Sequence, residues 1–502
     1  MTEIKTVTAI PAGGKTHEVI EMINNSEDKF VVVNISQALA DQTYTSITRS
    51  KAIAVSNSTG GGRVGAQIEQ NLRNKVSVIV CCHQGFMKID PTLLHGYTVI
   101  IDEVPSTINL GSIPVKDTTD ILNILGNCCN IDGCKYTLHP DHGNDGIEAI
   151  KAQGTRSEKM ESMLTALELG STVTRMGDNE FRWSVVFNWV EHLQHADSIY
   201  MLAAQVEGLA TTELMKAKGA VFVPTNDITP AYHSYVNPER IKIVPLLTGM
   251  DYSKNQCVGG ENVLRVCANG NYKHDGFTVY QKIRENTKLA LKHYRKDQFI
   301  YTVNKKQQDE KWDYGEAKFV PYNPHGRNDL VDYEAVVCIY QANLDNSQKA
   351  ECKKVAKHHN LDEDAFVGAV MTQTYLEPIF QAATRGIIRN HEDSDTTYVV
   401  IVPDERAANY LANGHFKGAE IVYDFAIDGK KVKEQREQHL RDQNLKFGII
   451  KLTPKELGIP TPHTNAFKCW KTNRNKKGIK TDLSDCIDWM KKRNIPTSHL
   501  QA

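Results

Sequence analysis

The sequence predicts an α/β fold: two parallel-sheet lobes in tandem, an insertion in the first lobe and a small C-terminal domain. Three observations predict it. Compact apolar runs rich in β-branched residues recur at 7–10, 30–34, 76–81 and 98–101, each followed by a polar or glycine-bearing turn. Amphipathic stretches of helical period lie between the early runs, at 16–23 and 37–43. A second series of runs starts near residue 241 and continues at 299–303, 335–340 and 398–402. Strands that are continuously apolar, rather than apolar at alternate positions, belong to parallel sheets covered on both faces.

The first lobe spans 1–230. Within it the strand pattern breaks from about 108 to 197, where a polar, glycine-containing stretch at 139–146 leads to a helix-like segment at 158–169 and a β-like one at 181–187. An apolar run at 198–204 then resumes the first pattern, so the intervening stretch reads as an insertion. The second lobe spans 231–428 and includes a helix near 378–388. The polar and basic remainder, 429–502, reads as a small appended domain.

Composition bounds the function classes. Hydrophobic residues make up 40% of the 502 and charged residues 24%, as in ordinary globular proteins. A net charge of −1 excludes a global basic field, so any nucleic-acid surface has to be local. No apolar run reaches the roughly 18 residues of a membrane helix. The opening MTEIKTVTAI lacks the basic and apolar regions of a secretory signal. These features give the expectation of a cytoplasmic protein without a membrane partner. Of the eleven cysteines, Cys128, Cys129 and Cys134 lie near His139 and His142, but the spacing matches no zinc pattern and reads as a loop with buried thiols.

The chemistry starts at AIPAGGKT, residues 9–16, a phosphate-loop pattern with alanine where the first glycine usually stands. It follows a strand, expected at 6–10, and opens a helix, which is the context that gives the pattern meaning. Pro11, Ala12, Gly13, Gly14, Lys15 and Thr16 are therefore the candidate nucleotide-binding residues. The glycines let backbone N–H groups turn toward phosphate oxygens, Lys15 supplies a point charge, and the Thr16 hydroxyl can ligate Mg²⁺. The run 97–103, YTVIIDE, ends an apolar strand in two carboxylates. Asp102 is placed at the carboxyl edge of the sheet as a second Mg²⁺ ligand, and Glu103 as the group that orients and activates the attacking water.

Over most of residues 6–405 the motifs and their order resemble those of superfamily 2 helicases and translocases. Residues 9–16 resemble motif I and residues 34–42 motif Ia, which implies backbone contacts to a nucleic-acid strand from Ser36 and Gln37. The segment 80–85, with His83 and Gln84, is similar to the one that follows in that family. Asp102-Glu103-Val104-Pro105 stands at the DEAD or DEAH box. Residues 299–304, ending in Asn304, resemble motif IV, and HGRND at 325–329, with Gly326, resembles motif V. Gln381, Arg385 and Arg389 resemble motif VI, the second arginine one position later than the common spacing. Either arginine fits the finger that reaches the γ-phosphate, with Arg389 favoured. MLAAQ at 201–205 takes the place of motif III without its Ser-Ala-Thr.

The resemblance implies two RecA-like lobes, ATP and Mg²⁺ as cofactors, and hydrolysis coupled to movement on or unwinding of nucleic acid. Eight residues ahead of the loop leave no place for the upstream glutamine motif of DEAD-box RNA helicases, which favours DNA over RNA. The form of motif II is similar to that of viral origin-binding helicases, which suggests a phage or viral replication motor in a host cytoplasm, with replication or recombination proteins as partners. At 470–480 a basic run flanked by Trp470 and Trp489 offers Lys476 and Lys477 to phosphates and the rings to bases. The competing reading is a solvated loop with two core tryptophans. Two other functions stay open: an origin- or fork-binding protein using ATP as a conformational switch, and a phosphate-loop enzyme acting on a small molecule.

Overall fold

The computed structural model describes residues 1–56, 64–114, 119–152, 157–176, 180–260, 262–322, 329–391, 395–446, 454, 457–476 and 483–497. The first lobe runs through β1 (Thr2–Thr8), β2 (Phe30–Asn34), β3 (Ala52–Ala54), β4 (Val78–Cys82) and β5 (Thr98–Asp102). The chain then leaves the sheet for β6 (Ile108–Pro114), β7 (Cys129–Asp132), β8 (Lys135–Leu138), β9 (Val173–Met176) and β10 (Glu180–Val186). It returns as β11 (Ser198–Ala203) and β12 (Ala220–Pro224). The seven lobe strands are parallel, in the order β12-β1-β11-β5-β2-β4-β3. β2 shows why the run FVVVN had to be apolar throughout. Val31 and Val33 enter one core with Val99 and Met201, while Phe30 and Val32 enter the opposite one with Val80 and Leu202.

The inserted strands form a separate antiparallel sheet, β6-β10-β9-β8-β7. Its core includes Ile121, Met163, Phe181 and Trp183. The polar stretch at 139–146 opens a further helix, Gly143–Ala152, whose buried face carries Ile147 and Ile150.

The second lobe contains β13 (Ile241–Pro245), β14 (Gln298–Val303), β15 (Glu316–Phe319), β16 (Ala335–Ile339), β17 (Tyr398–Val402) and β18 (Glu420–Ile421). These too are all parallel, ordered β15-β14-β16-β17-β13-β18. Two parallel-sheet lobes in tandem, as the sequence predicts, are the architecture of the chain. Residues 1–246 and 287–425 form one compact unit. Helices Asn346–His358 and Glu363–Met371 help close it, because Cys352, Phe366 and Val370 share a core with Ile108, Ala210 and Leu214 of the first lobe.

Residues 247–286, expected inside the second lobe, cluster instead with 426–502 as a second unit. Within it Leu247–Thr248 pairs with Ile427–Asp428. Helices Thr461–Lys476 and Leu483–Lys491 bury Phe467 and Trp489 against Leu457, Met490 and Ile495, with Trp470 packed alongside. Trp489 (3% exposed) is thus a core residue and presents no face to a base, while Trp470 is half-buried at the edge of the same cluster.

Trp183 anchors the insertion. A Cβ at Gly111 would come within 2.1 Å of its indole, and Trp183 Nε1 donates to Ser162 Oγ at 3.3 Å. Trp183→Ala is expected to destabilise this module by about 3–5 kcal/mol, read as earlier loss of amide protection in β6 and β10 while β1, β2 and β5 keep theirs.

Candidate functional site

β1 ends at Thr8, two residues short of the expected strand, and the reason is local. The carbonyls of Ala9 and Ile10 turn away from the sheet and accept hydrogen bonds from Lys15 Nζ at 2.7 and 3.0 Å. The loop that follows is tight. Ala12 and Gly14 both have positive φ, 62° and 93°. The first is a conformation that costs a residue with a Cβ roughly 1–3 kcal/mol and is retained where surroundings over-determine it. A Cβ at Gly13 would lie 2.5 Å from the Tyr232 carbonyl and 2.8 Å from that of Ile10. Only glycine fits there. Helix Lys15–Asn25 starts directly after the loop and aims its N-terminus into the site.

Asp102 ends β5 and is buried. Thr16 Oγ1 lies 3.4 and 3.5 Å from its two carboxylate oxygens, and Asn34 Nδ2 donates to it at 3.3 Å. Burial first, and repulsion from Glu103 second, push the Asp102 carboxyl up to about 7. Lys15 is held below the usual lysine range by its own burial, against the pull of Glu103 and Asp102. Glu103 has φ 72°, and its N–H donates to Leu202 O at 2.9 Å. That twist lets the second carboxylate leave the strand direction and line the cavity.

Opposite stand side chains of the second lobe. Helix Glu377–Ala383 stops earlier than the predicted 378–388, because Gly386 passes against the Tyr333 carbonyl and the Tyr398 ring, where a Cβ would come within 2.3 and 2.6 Å. The chain restarts as a short turn, Ile387–Arg389. Arg385 and Arg389 are therefore no pair on one exposed helix face. Arg385 is 4% exposed, donating from Nε to Gln381 O and from Nη2 to Gln381 Oε1, both at 3.1 Å. Burial, with Arg389 as a like charge beside it, lowers its guanidinium to about 10. Pro11 to Thr16, Asp102, Glu103, Gln381, Arg385 and Arg389 line one cavity of about 670 Å³, which extends past His17 and Glu21 to Gln42 and Ser46.

The arrangement fits a nucleotide triphosphate tail with a hard cation. Thr16 and Asp102 offer adjacent oxygen donors of the kind Mg²⁺ prefers. Two desolvated guanidinium groups and a buried ammonium provide positive charge where solvent screens little.

The other expected residues are placed more variously. Ser36 caps helix Gln37–Ser46, accepting from Leu39 N at 3.4 Å, and Gln37 Nε2 donates to Asp41 at 2.6 Å. His83 is buried edge-on to Trp189, leaving Gln84 as the exposed member of that pair. Asn304 gives both amide atoms to the Gln341 backbone, at 2.8 and 3.0 Å, tying the ends of β14 and β16 together. Lys476 closes helix Thr461–Lys476, while Gly326 and Lys477 lie outside the described residues. Cys128 and Cys129 face each other at 3.7 Å, His139 stacks on His142, and Cys134 is exposed. Among the described residues, no three or more His, Cys, Asp or Glu side chains gather as a metal-holding group, nor is any helix long and apolar enough to cross a membrane. Sequence reading missed Glu377, Tyr410 and Gln205, which are joined by hydrogen bonds, with Glu377 also bonded to the cavity-lining Gln381. Glu377 stands one helical turn before Gln381, the signal that could have revealed it.

No protein-family model matches the chain, and no curated protein does. Among solved structures it is similar to S. tokodaii Xpd4, at 14% identity over 84% of this chain and 96% of that one, with a TM-score of 0.45. An apo XPD structure gives 12%, 84%, 97% and 0.45. S. cerevisiae Dbp5 bound to RNA and ADP BeF3 gives 10%, 87%, 88% and 0.33.

Gly13→Ala is expected to weaken ATP binding by at least about tenfold, since the loop must move to clear two carbonyls, a displacement on the order of 1.4 kcal/mol or more. Titration with a fluorescent ATP analogue checks it; unchanged affinity would show that the loop does not cradle the phosphates.

Proposed function

We propose that this chain is a nucleic-acid-dependent ATPase of the two-lobed superfamily 2 type, which couples hydrolysis to movement on or unwinding of nucleic acid, DNA in preference to RNA. One observation carries the reading: side chains from both lobes, with the phosphate loop and Asp102–Glu103 on one side and Gln381, Arg385 and Arg389 on the other, line the same cavity. The arginines supplied by the second lobe count against a phosphate-loop enzyme acting on a small molecule.

The roles follow from the geometry. Lys15 exchanges its two carbonyl partners for phosphate oxygens, and the loop N–H groups point at the same tail. Thr16 and Asp102 hold Mg²⁺, which supplies charge neutralisation for the phosphates when bound. Glu103 accepts a proton from the attacking water. Arg385 or Arg389 stabilises charge on the transferring phosphoryl, and does so only with the lobes closed, so chemistry and lobe movement are linked. Ser36, Gln37 and Gln84 are proposed for the strand-contacting face of the first lobe.

The deciding experiment measures ATP hydrolysis by the wild type and Lys15→Ala, alone and with single-stranded, duplex or forked DNA and RNA. The expected result is stimulation by a DNA that vanishes in Lys15→Ala. Activity indifferent to every polymer sinks the proposal in favour of a small-molecule substrate, and hydrolysis without strand displacement favours ATP as a conformational switch. Glu103→Gln is expected to keep ATP binding while losing roughly 10²-fold or more in turnover, because an amide cannot take the water's proton. Full turnover in that variant removes Glu103 from the mechanism.

A further inference from the structure

Tyr410 ends helix Glu405–Tyr410 of the second lobe, and its hydroxyl touches two acceptors. It lies 2.6 Å from Glu377 Oε1 and 3.0 Å from Gln205 Oε1, the latter just beyond β11 of the first lobe. Gln205 is fixed in that orientation, since its Nε2 donates to Glu207 O at 2.8 Å and a flip would set two oxygens against each other. One hydroxyl hydrogen cannot serve both oxygens. If Glu377 is ionised, Tyr410 donates to it and turns its lone pairs on Gln205. If Glu377 carries a proton, its own O–H donates to Tyr410, and Tyr410 donates onward to Gln205.

We propose that Glu377, Tyr410 and Gln205 form a proton-dependent clasp between the lobes, with Glu377 a positioning residue that holds the cavity closed while neutral and releases it when ionised. The surroundings favour the neutral form in the closed state. Glu377 is buried, and Glu103 opposes its charge across the cavity, while Lys15, Tyr410 and Gln381 favour ionisation; the balance pushes it up to about 7. His415 Nε2 is 3.8 Å away but stacks on Phe380 and is driven down to about 4 by burial, so it is neutral near pH 7 and adds no cation. The sign is therefore fixed. A carboxyl raised by closure keeps the clasp at low pH and loses it as pH climbs through about 7. This extends the ATPase reading and rests on it in one respect: phosphate charge arriving beside Lys15 further disfavours ionised Glu377, so the clasp holds with the triphosphate in place and loosens when phosphate leaves.

The test is energy transfer between dyes carried at exposed Asn74 and Lys417 of the full chain, at about pH 6 and pH 8.5, with and without a non-hydrolysable ATP analogue. With the carboxyl near 7, the neutral fraction falls roughly thirtyfold over that range. The wild type is expected to open at the higher pH and to close again on adding the analogue. Glu377→Gln, whose amide can still donate to Tyr410, stays closed at both values, and Tyr410→Phe stays open at both. Wild-type pH dependence persisting in Glu377→Gln, or closure surviving in Tyr410→Phe, overturns the proposal. Titrating the analogue separately distinguishes the two readings: a chain that binds no ATP yet shows the Glu377-dependent opening retains the clasp and loses the ATPase assignment.

Discussion

Lys15 is buried, bonded to the carbonyls of Ala9 and Ile10, and faces Asp102 and Glu103 across a space with little solvent to screen them. An ammonium in that position needs oxygen partners at all times. In the structure it takes them from its own loop, which ends β1 early and folds the loop tightly around Gly13 and Gly14. The same low dielectric raises Asp102, lowers Arg385 and makes every charge in the cavity sensitive to its neighbours. A cavity built this way favours a ligand that brings negative charge, together with a cation for the carboxylates.

The second lobe reaches this space through side chains that carry tension of the same kind. Arg385 is held in place by Gln381. Further out, Gln373 Nε2 donates to Pro105 O at 3.1 Å and to Thr211 Oγ1 at 2.8 Å, while Thr211 N donates back to Gln373 Oε1 at 3.0 Å. Pro105 follows Asp102–Glu103 by two residues, so the carboxylate pair, the first-lobe helix at Thr211 and the second lobe are joined by a short bonded path. Just beyond β11, Gln205 bonds to the opposite lobe through Tyr410. Contact between the lobes thus combines an apolar core, Cys352, Phe366 and Val370 against Ile108, Ala210 and Leu214, with polar bonds made through Gln373 and Tyr410.

Much of this was legible in the sequence. Strands buried on both faces leave unbroken apolar runs, so β2, β4, β5 and β17 could be placed almost to the residue, and with them the parallel lobes. The phosphate loop and the Asp102–Glu103 pair were equally plain, because backbone turning and charge placement there require particular residue types in a short span. The insertion was visible as a break in that pattern, though its helix at Gly143–Ala152 was hidden behind a polar, glycine-containing start.

What the sequence by itself determined was therefore local: which runs form buried strands, where a loop needs glycine, and where carboxylates end a strand. Only the tertiary structure decided which distant groups share the cavity, that Arg385 is buried and Arg389 half-buried rather than displayed on one helix, that Trp489 is a core residue, and that Glu377, Tyr410 and Gln205 meet. The physical reason is the range of the forces involved. Strand and turn preferences act over a few residues and leave a periodic trace. Desolvation and charge pairing depend on neighbours hundreds of residues away, and one sequence carries no spacing that records them.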